Sequence, residues 1–213
     1  MQSAHPLRYI AVDGPIGAGK TTLAKMLAED MKLHLCLEPA EKNPFLPDFY
    51  RDPKRNAFKT QLFFLLNRYQ QQLELRQFDL FANGAIADYT FAKDNIFALI
   101  NLSDEELKLY NTVFRLLNER LLKPDLVIYL RASTRVLLHR IRKRGLDYER
   151  HVGEDYLDRL TEGYDRHFMN HNDTPLLVVD TSKLNYLENP DDFAHLKREI
   201  LTHRGGTAHL IAR

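Results

Sequence analysis

Residues Gly14-Pro15-Ile16-Gly17-Ala18-Gly19-Lys20-Thr21 form a complete G-x-x-x-x-G-K-[ST] loop, and its flanks restrict what the chain can fold into. An apolar strand candidate, Tyr9-Ile10-Ala11-Val12, precedes it, and an apolar-periodic helix from Thr21 to about Met31 follows. A helix N-terminus carries unpaired N–H groups and about half a positive charge, so it attracts phosphate. Glycines let the backbone approach the anion, a lysine at position 20 reaches the terminal phosphates, and a threonine at position 21 can ligate Mg²⁺. The expectation is that Gly14, Gly17, Ala18, Gly19, Lys20, Thr21 and Thr22 hold a nucleoside triphosphate, ATP, with Thr21 beside Mg²⁺. A glycine turn next to a surface lysine is the plain alternative, and the strand–loop–helix setting counts against it.

At 213 residues the chain suits one domain, residues 1–213, with ample interior to bury. The net charge of +1 offers neither a basic nucleic-acid footprint nor a strong membrane attraction, so neither partner is expected. No apolar run is long enough to span a bilayer, and Met1 to Pro6 leave little room for a signal peptide before the first strand. Cys36 is the only cysteine, and its neighbours Leu35 and Leu37 read as core, which makes it a small hydrophobe rather than a nucleophile. A soluble cytoplasmic protein is expected.

Further short apolar runs read as buried parallel strands: His34–Leu37, Gly84–Ala87, Leu126–Leu130 and Leu176–Val179. Helical patterns lie between them, over Lys54–Phe78, Thr134–Lys143 and Glu154 to about His167. Ser103-Asp104-Glu105-Glu106 is a capping box that opens a helix running toward Leu122, before Pro124. This alternation predicts an α/β fold, a five-stranded parallel sheet flanked by helices. The tail from His203, with Gly205-Gly206, is expected to fray.

Ligands in such sheets bind beyond the carboxyl ends of the strands. The second strand delivers Glu38 there and the third delivers Asp88. Two carboxylates near a Mg²⁺–nucleotide suit a division of labour, one close to the metal and one taking a proton from an attacking hydroxyl. Asp88 also fits a loop cap. Gln61 and Arg68, seven residues apart, share a helix face and suit a nucleobase, and they equally fit a solvated stripe. The basic run from Arg135 to Arg150 follows the fourth strand, where it can be a solvated face, an RNA or nuclear-import contact, or an arginine-bearing lid over the phosphates.

Together these residues resemble the deoxynucleoside kinase family, in its bacterial deoxyadenosine/deoxyguanosine kinase branch, over roughly residues 8–200. The resemblance is carried by Glu38-Pro39, Asn43-Pro44-Phe45-Leu46, Phe49-Tyr50, Asp52-Pro53, Gln61, Arg68, Asp88, Asp94 with Ile96-Phe97-Ala98, Pro124 to Leu130, Arg140 to Gly145, Glu149 and Tyr156-Leu157, in order. It implies a P-loop kinase that phosphorylates a deoxynucleoside 5′-hydroxyl from ATP, and a homodimer built through long helices, with the outer face of the Ser103–Leu122 helix contributing. By the same resemblance Glu38 is the general base, with Lys20 also catalytic. Gln61 bonds the base edge, Arg68 and Asp94 form a charged pair that orients it, and Tyr50 and Glu149 hold the 3′-hydroxyl. Arg140, Arg142 and Arg144 are lid arginines within a lid of about residues 140–153, and Asp180 to Asn185 lie near the adenine.

Two positions depart from the family pattern. Where many relatives carry acid–Arg–Ser after the third strand, this chain reads Asp88-Tyr89-Thr90, and a further lid arginine is Leu146. Either a neighbour such as Lys93 supplies the missing charge or the site is arranged differently. The retained Arg68 and Asp94 point to a purine deoxynucleoside. A thymidylate-type monophosphate kinase and a nucleotide-switch protein are the rival readings. The first needs a basic clamp near the sugar, and the second lacks support, since no Asn-Lys-x-Asp guanine signature occurs.

Overall fold

The computed structural model describes residues 7–78, 84–118 and 121–210; the N-terminal hexapeptide and tail residues 211–213 lie outside them. In chain order the elements are β1 (Tyr9–Asp13), α1 (Lys20–Met31), β2 (His34–Cys36), α2 (Leu46–Arg51), α3 (Pro53–Phe78), β3 (Ala85–Ala87), α4 (Lys93–Asn101) and α5 (Asp104–Asn118). There follow β4 (Leu126–Arg131), α6 (Thr134–Arg144), α7 (Glu154–Met169), β5 (Leu176–Asp180), α8 (Pro190–Thr202) and β6 (Thr207–Leu210).

The strands form one sheet in the order β2-β3-β1-β4-β5-β6, every pair parallel. All five residues of β1 are buried, as a strand between two neighbours and two helical layers requires. Its side chains alternate: Ile10 and Val12 enter the main core with Leu23 and Leu27 of α1. Tyr9 and Ala11 point the other way, into a smaller cluster with Cys36, Leu75 and Tyr89.

The sheet has six strands, one more than the sequence pattern predicts. The additional strand, β6, comes from the segment expected to fray, and it pairs Leu176 with Thr207 and Val179 with Leu210. An edge strand needs only partial cover, so its side chains are largely exposed up to Leu210 and it lacks the continuous apolar run of an inner strand. The capping box at α5 forms reciprocally, with Ser103 N donating to Glu106 Oε2 at 3.0 Å and Glu106 N to Ser103 Oγ at 3.4 Å. The predicted extension toward Leu122 does not hold at its end. Residues 119–120 lie outside the described residues, and Leu121 and Leu122 are not helical; Leu122 packs instead against the Tyr9–Tyr89 cluster. Helices α2, α4 and α8 were not anticipated, although Asn189-Pro190-Asp191 is a legible start signal: the Asn189 side chain caps α8 by accepting from Asp191 N at 3.0 Å.

What aligns the carboxyl edge is Asp13, the last residue of β1 and fully buried. Its Oδ1 accepts from Gly14 N at 2.7 Å and Tyr164 OH at 3.0 Å; its Oδ2 accepts from Thr90 N at 3.1 Å and from the Thr90 hydroxyl. One carboxylate thus ties the phosphate loop, the segment after β3 and α7 together. A hydrogen bond to a charged group contributes about 1.5–3 kcal/mol. Tyr164→Phe is expected to lower unfolding free energy by roughly that amount in urea titration, with little change in m-value.

Candidate active site

Two adjoining cavities open at the carboxyl edge of the sheet. The outer one, 630 Å³, is lined by the phosphate loop, by α6 and by residues 181–188. The inner one, 140 Å³, lies between Glu38, the middle of α3, and the segment after α6. They share Gly17, Lys20, Thr21 and Arg144 at their common boundary.

The outer cavity is built for an anion. Gly14 has φ +149°, and a Cβ there would meet Leu130 O at 2.4 Å, so the loop can turn beneath β4 only with glycine. Gly19 precedes α1 with φ +99°; no side chain caps that helix and its first turn holds no acidic residue, leaving the N–H groups and the dipole for a ligand. Lys20 Nζ rests on Pro15 O at 3.0 Å. Burial and the neighbouring Lys93 push its ammonium down to about 8, against the pull of Asp13, Glu38 and Asp88. Thr21 Oγ1 donates to Asp88 Oδ2 at 2.5 Å, while Glu38 N fixes Asp88 Oδ1 at 2.8 Å. Two hard oxygens converging beside the phosphate loop form a donor set suited to Mg²⁺.

Helical spacing places His139, Arg140, Lys143 and Arg144 of α6 on the face toward the outer cavity. Arg140 donates to Thr181 Oγ1 and Thr181 O, both at 2.8 Å, and to Ala18 O at 3.4 Å, bracing α6 against the loop after β5. Arg142 is exposed and lines neither cavity, so it is not brought to the others. His139 and Lys143 line the cavity and were not picked out from the sequence; the three- and four-residue spacings within α6 could have found them. Arg144 grips Glu149 with Nη2 at 2.6 and 2.7 Å and Nε at 3.1 Å.

The inner cavity combines flat apolar walls, including Phe49, Phe64 and Phe97, with a few buried polar groups. Gln61 is 2% exposed and its Oε1 has no partner among the described residues, so an acceptor is left open to a ligand. Tyr50 stacks on Tyr148 with ring centroids 6.1 Å apart, next to Glu149. Glu38 lies at the boundary with both carboxylate oxygens engaged: Arg68 Nη2 holds Oε1 and Lys93 Nζ holds Oε2. Arg68 Nη1 pairs with Asp94, which stands behind it, fully buried and outside the cavity lining. Burial alone would raise the Glu38 carboxyl, but Arg68 and Lys93 hold it down at about 2. Burial lifts Asp94 to about 6 against the pull of Arg68, which leaves it ionised at neutral pH. Arg68 is raised above its ordinary value because Asp94 and Glu38 outweigh its burial. Tyr89, where an arginine was expected, is fully buried with its hydroxyl 3.8 Å from Cys36 Sγ.

A phosphate cradle joined edge to edge with a pocket for a flat, uncharged ligand, and a carboxylate at the join, defines a P-loop phosphotransferase. The deoxynucleoside kinase family model matches residues 10–203, and the chain belongs to that family. Deoxyguanosine kinase of Bacillus subtilis (strain 168) is 38% identical over 203 residues, 91% of this chain and 98% of that protein. Deoxyadenosine kinase of Lactobacillus acidophilus is 30% identical over 208 residues, covering 91% and 95%. A solved structure of deoxyadenosine kinase from M. mycoides, with the products dCMP and a flexible dCDP bound, matches at TM-score 0.80 and 30% identity, covering 90% of this chain and 98% of that one. Nucleoside phosphorylation is accordingly favoured over the monophosphate-kinase and nucleotide-switch readings.

A bound triphosphate restores the Lys20 proton. Nucleotide binding is therefore expected to take up a proton above about pH 8, and affinity to weaken as pH rises through that value. Titration calorimetry in buffers of different ionisation enthalpy checks both.

Proposed function

We propose that the chain transfers the γ-phosphoryl group of ATP to the 5′-hydroxyl of a purine deoxynucleoside, deoxyadenosine or deoxyguanosine, in nucleotide salvage. The observation that carries this is the placement of Glu38 where the two cavities meet, beside Lys20 and Thr21. The deoxynucleoside enters the inner cavity, its base between the aromatic walls with an edge on Gln61 and Arg68, its 3′-hydroxyl toward Tyr50 and Glu149. ATP fills the outer cavity with its triphosphate along the phosphate loop. The 5′ oxygen forms the new bond to the γ-phosphorus as the bond to the β,γ-bridging oxygen breaks, that electron pair leaving with ADP. Glu38 takes the 5′-hydroxyl proton. A carboxylate held near 2 is a weak base, which suits a loose transition state in which the proton leaves late.

Thr21 and Asp88 would hold Mg²⁺, which supplies positive charge to the triphosphate oxygens. Lys20 and Arg144, common to both cavities, face the phosphoryl group in flight, and residues 140–153 form the lid. A monophosphate acceptor is poorly served. Among the described residues, Lys20, Arg68, Lys93 and Arg144 of the inner cavity are each engaged, and Glu149 would repel an added phosphate. The purine assignment is supported by the Arg68–Asp94 pair and by the names of the relatives above.

We further place the enzyme in the cytoplasm as a homodimer. No described helix is long and apolar enough to cross a membrane, and the single thiol, Cys36, is buried. Leu109 and Leu116 of α5 are 57% and 68% exposed, and Leu66 and Leu73 of the adjacent α3 are 49% and 36% exposed. Each pair is spaced by seven residues, so both helices present an apolar stripe that a second copy can cover.

Glu38→Gln is expected to lower kcat by roughly two to four orders of magnitude with ATP binding little changed. Steady-state rates with each deoxynucleoside test the substrate class; equal or better turnover of thymidine would sink the purine assignment. Leu109→Glu combined with Leu116→Glu is expected to give a monomer in sedimentation velocity, and an unchanged mass would remove this face from the interface.

A further inference from the structure

Lys93 occupies an unfavourable place for a lysine. It opens α4, where the helix dipole is positive, and it is 5% exposed. A cation there loses dipole energy and hydration together, so helix stability gives no reason for it. Its ammonium engages Glu38 Oε2, and among the described residues Glu38 is the sole carboxylate it pairs with. The other cation on Glu38 has a second obligation, because Arg68 is shared with Asp94. Charge matching therefore assigns Arg68 to Asp94 and Lys93 to Glu38. The backbone under Lys93 is also fixed: its N–H meets Thr90 O at 3.2 Å and Thr90 Oγ1 at 3.3 Å, and Thr90 hangs from Asp13. Tyr89 cannot share the task, since its ring is buried with Tyr9, Cys36 and Leu75 on the other side of β3.

We propose that Lys93 is a positioning residue for the phosphoryl transfer, holding Glu38 ionised at the boundary of the two cavities and supplying the positive charge that position 89 does not. This rests on the deoxynucleoside kinase reading above. When Glu38 accepts the 5′-hydroxyl proton its charge is lost, and Lys93 is left unpaired beside the phosphate just transferred. The same ammonium thus balances the carboxylate before transfer and the phosphate after it. Lys93 also depresses the Lys20 ammonium, which places it within electrostatic reach of the phosphate loop.

The test uses Lys93→Met and Lys93→Arg in the full chain, with thermal unfolding and ATP affinity confirming the fold. Lys93→Met is expected to lower kcat by about 10²-fold with the KM for ATP little changed, and Lys93→Arg to recover most of the rate. Carbon-13 NMR of the Glu38 carboxyl in the empty protein gives a readout independent of turnover. Wild type is expected to show no titration between pH 4 and 6, as befits a group held at about 2, whereas Lys93→Met is expected to move it up by roughly 1 to 3 units. A kcat within about threefold of wild type, or a slowed variant with an unmoved Glu38 titration and no rescue by arginine, would overturn the proposal. Wild type inactive on every deoxynucleoside would instead overturn the functional reading, while the NMR titration would still decide whether Lys93 governs Glu38. Should Lys93→Met fail to fold, Lys93→Gln carries the same comparison.

Discussion

Charge cannot be taken out of water alone, and the site is organised around that constraint. Glu38, Arg68, Lys93 and Asp94 are all buried, and they satisfy one another in a chain from β2 through α3 to α4. Breaking one member would strand its partners, so the ends of three separate elements are held in mutual register. Such clusters rarely contribute net stability compared with an apolar core. Here the benefit is preorganisation: a carboxylate fixed in place before a substrate arrives, with its remaining lone pairs available to a hydroxyl.

The second constraint is the parallel sheet. Five contiguous pairings deliver the carboxyl ends of the strands to one edge, and Asp13 locks three of the segments that leave it. The phosphate loop, Asp88 and the loop after β5 then face a common space. Arg140 bridges α6 to that loop and to Ala18, so the lid is tied at its root, while Arg144 and Glu149 form its mobile-ended clasp over the boundary. Nucleoside and nucleotide sites are thereby mechanically connected through α6.

Much of this was legible in local pattern. The loop from Gly14 to Thr21 needs only glycine stereochemistry and a helix start, both encoded within a few residues. The inner strands read as continuous apolar runs because both faces are covered. The edge strand β6 did not, because Thr207 and His209 face solvent and Gly205-Gly206 precede them. Arg142 and Arg144 are indistinguishable as members of a basic run, yet only Arg144 turns toward the cavities, a difference of helical phase. Gln61 and Arg68 equally fitted a solvated stripe until α3 was packed against the sheet and buried them.

The sequence by itself determined the phosphate cradle, the alternation of strands and helices, the two carboxylates at strand ends and the family, because each depends on short-range stereochemistry, on periodicity or on an ordered set of motifs. Only the tertiary structure decided which charges meet. Glu38 and Lys93 are far apart in the chain, and no local rule pairs them; their contact exists because burial excludes water and leaves each the other's nearest counter-charge. The missing arginine at position 89 became interpretable for the same reason. The direction of a buried side chain is set by what packs around it, and Tyr89 faces the core while Lys93 faces the reaction.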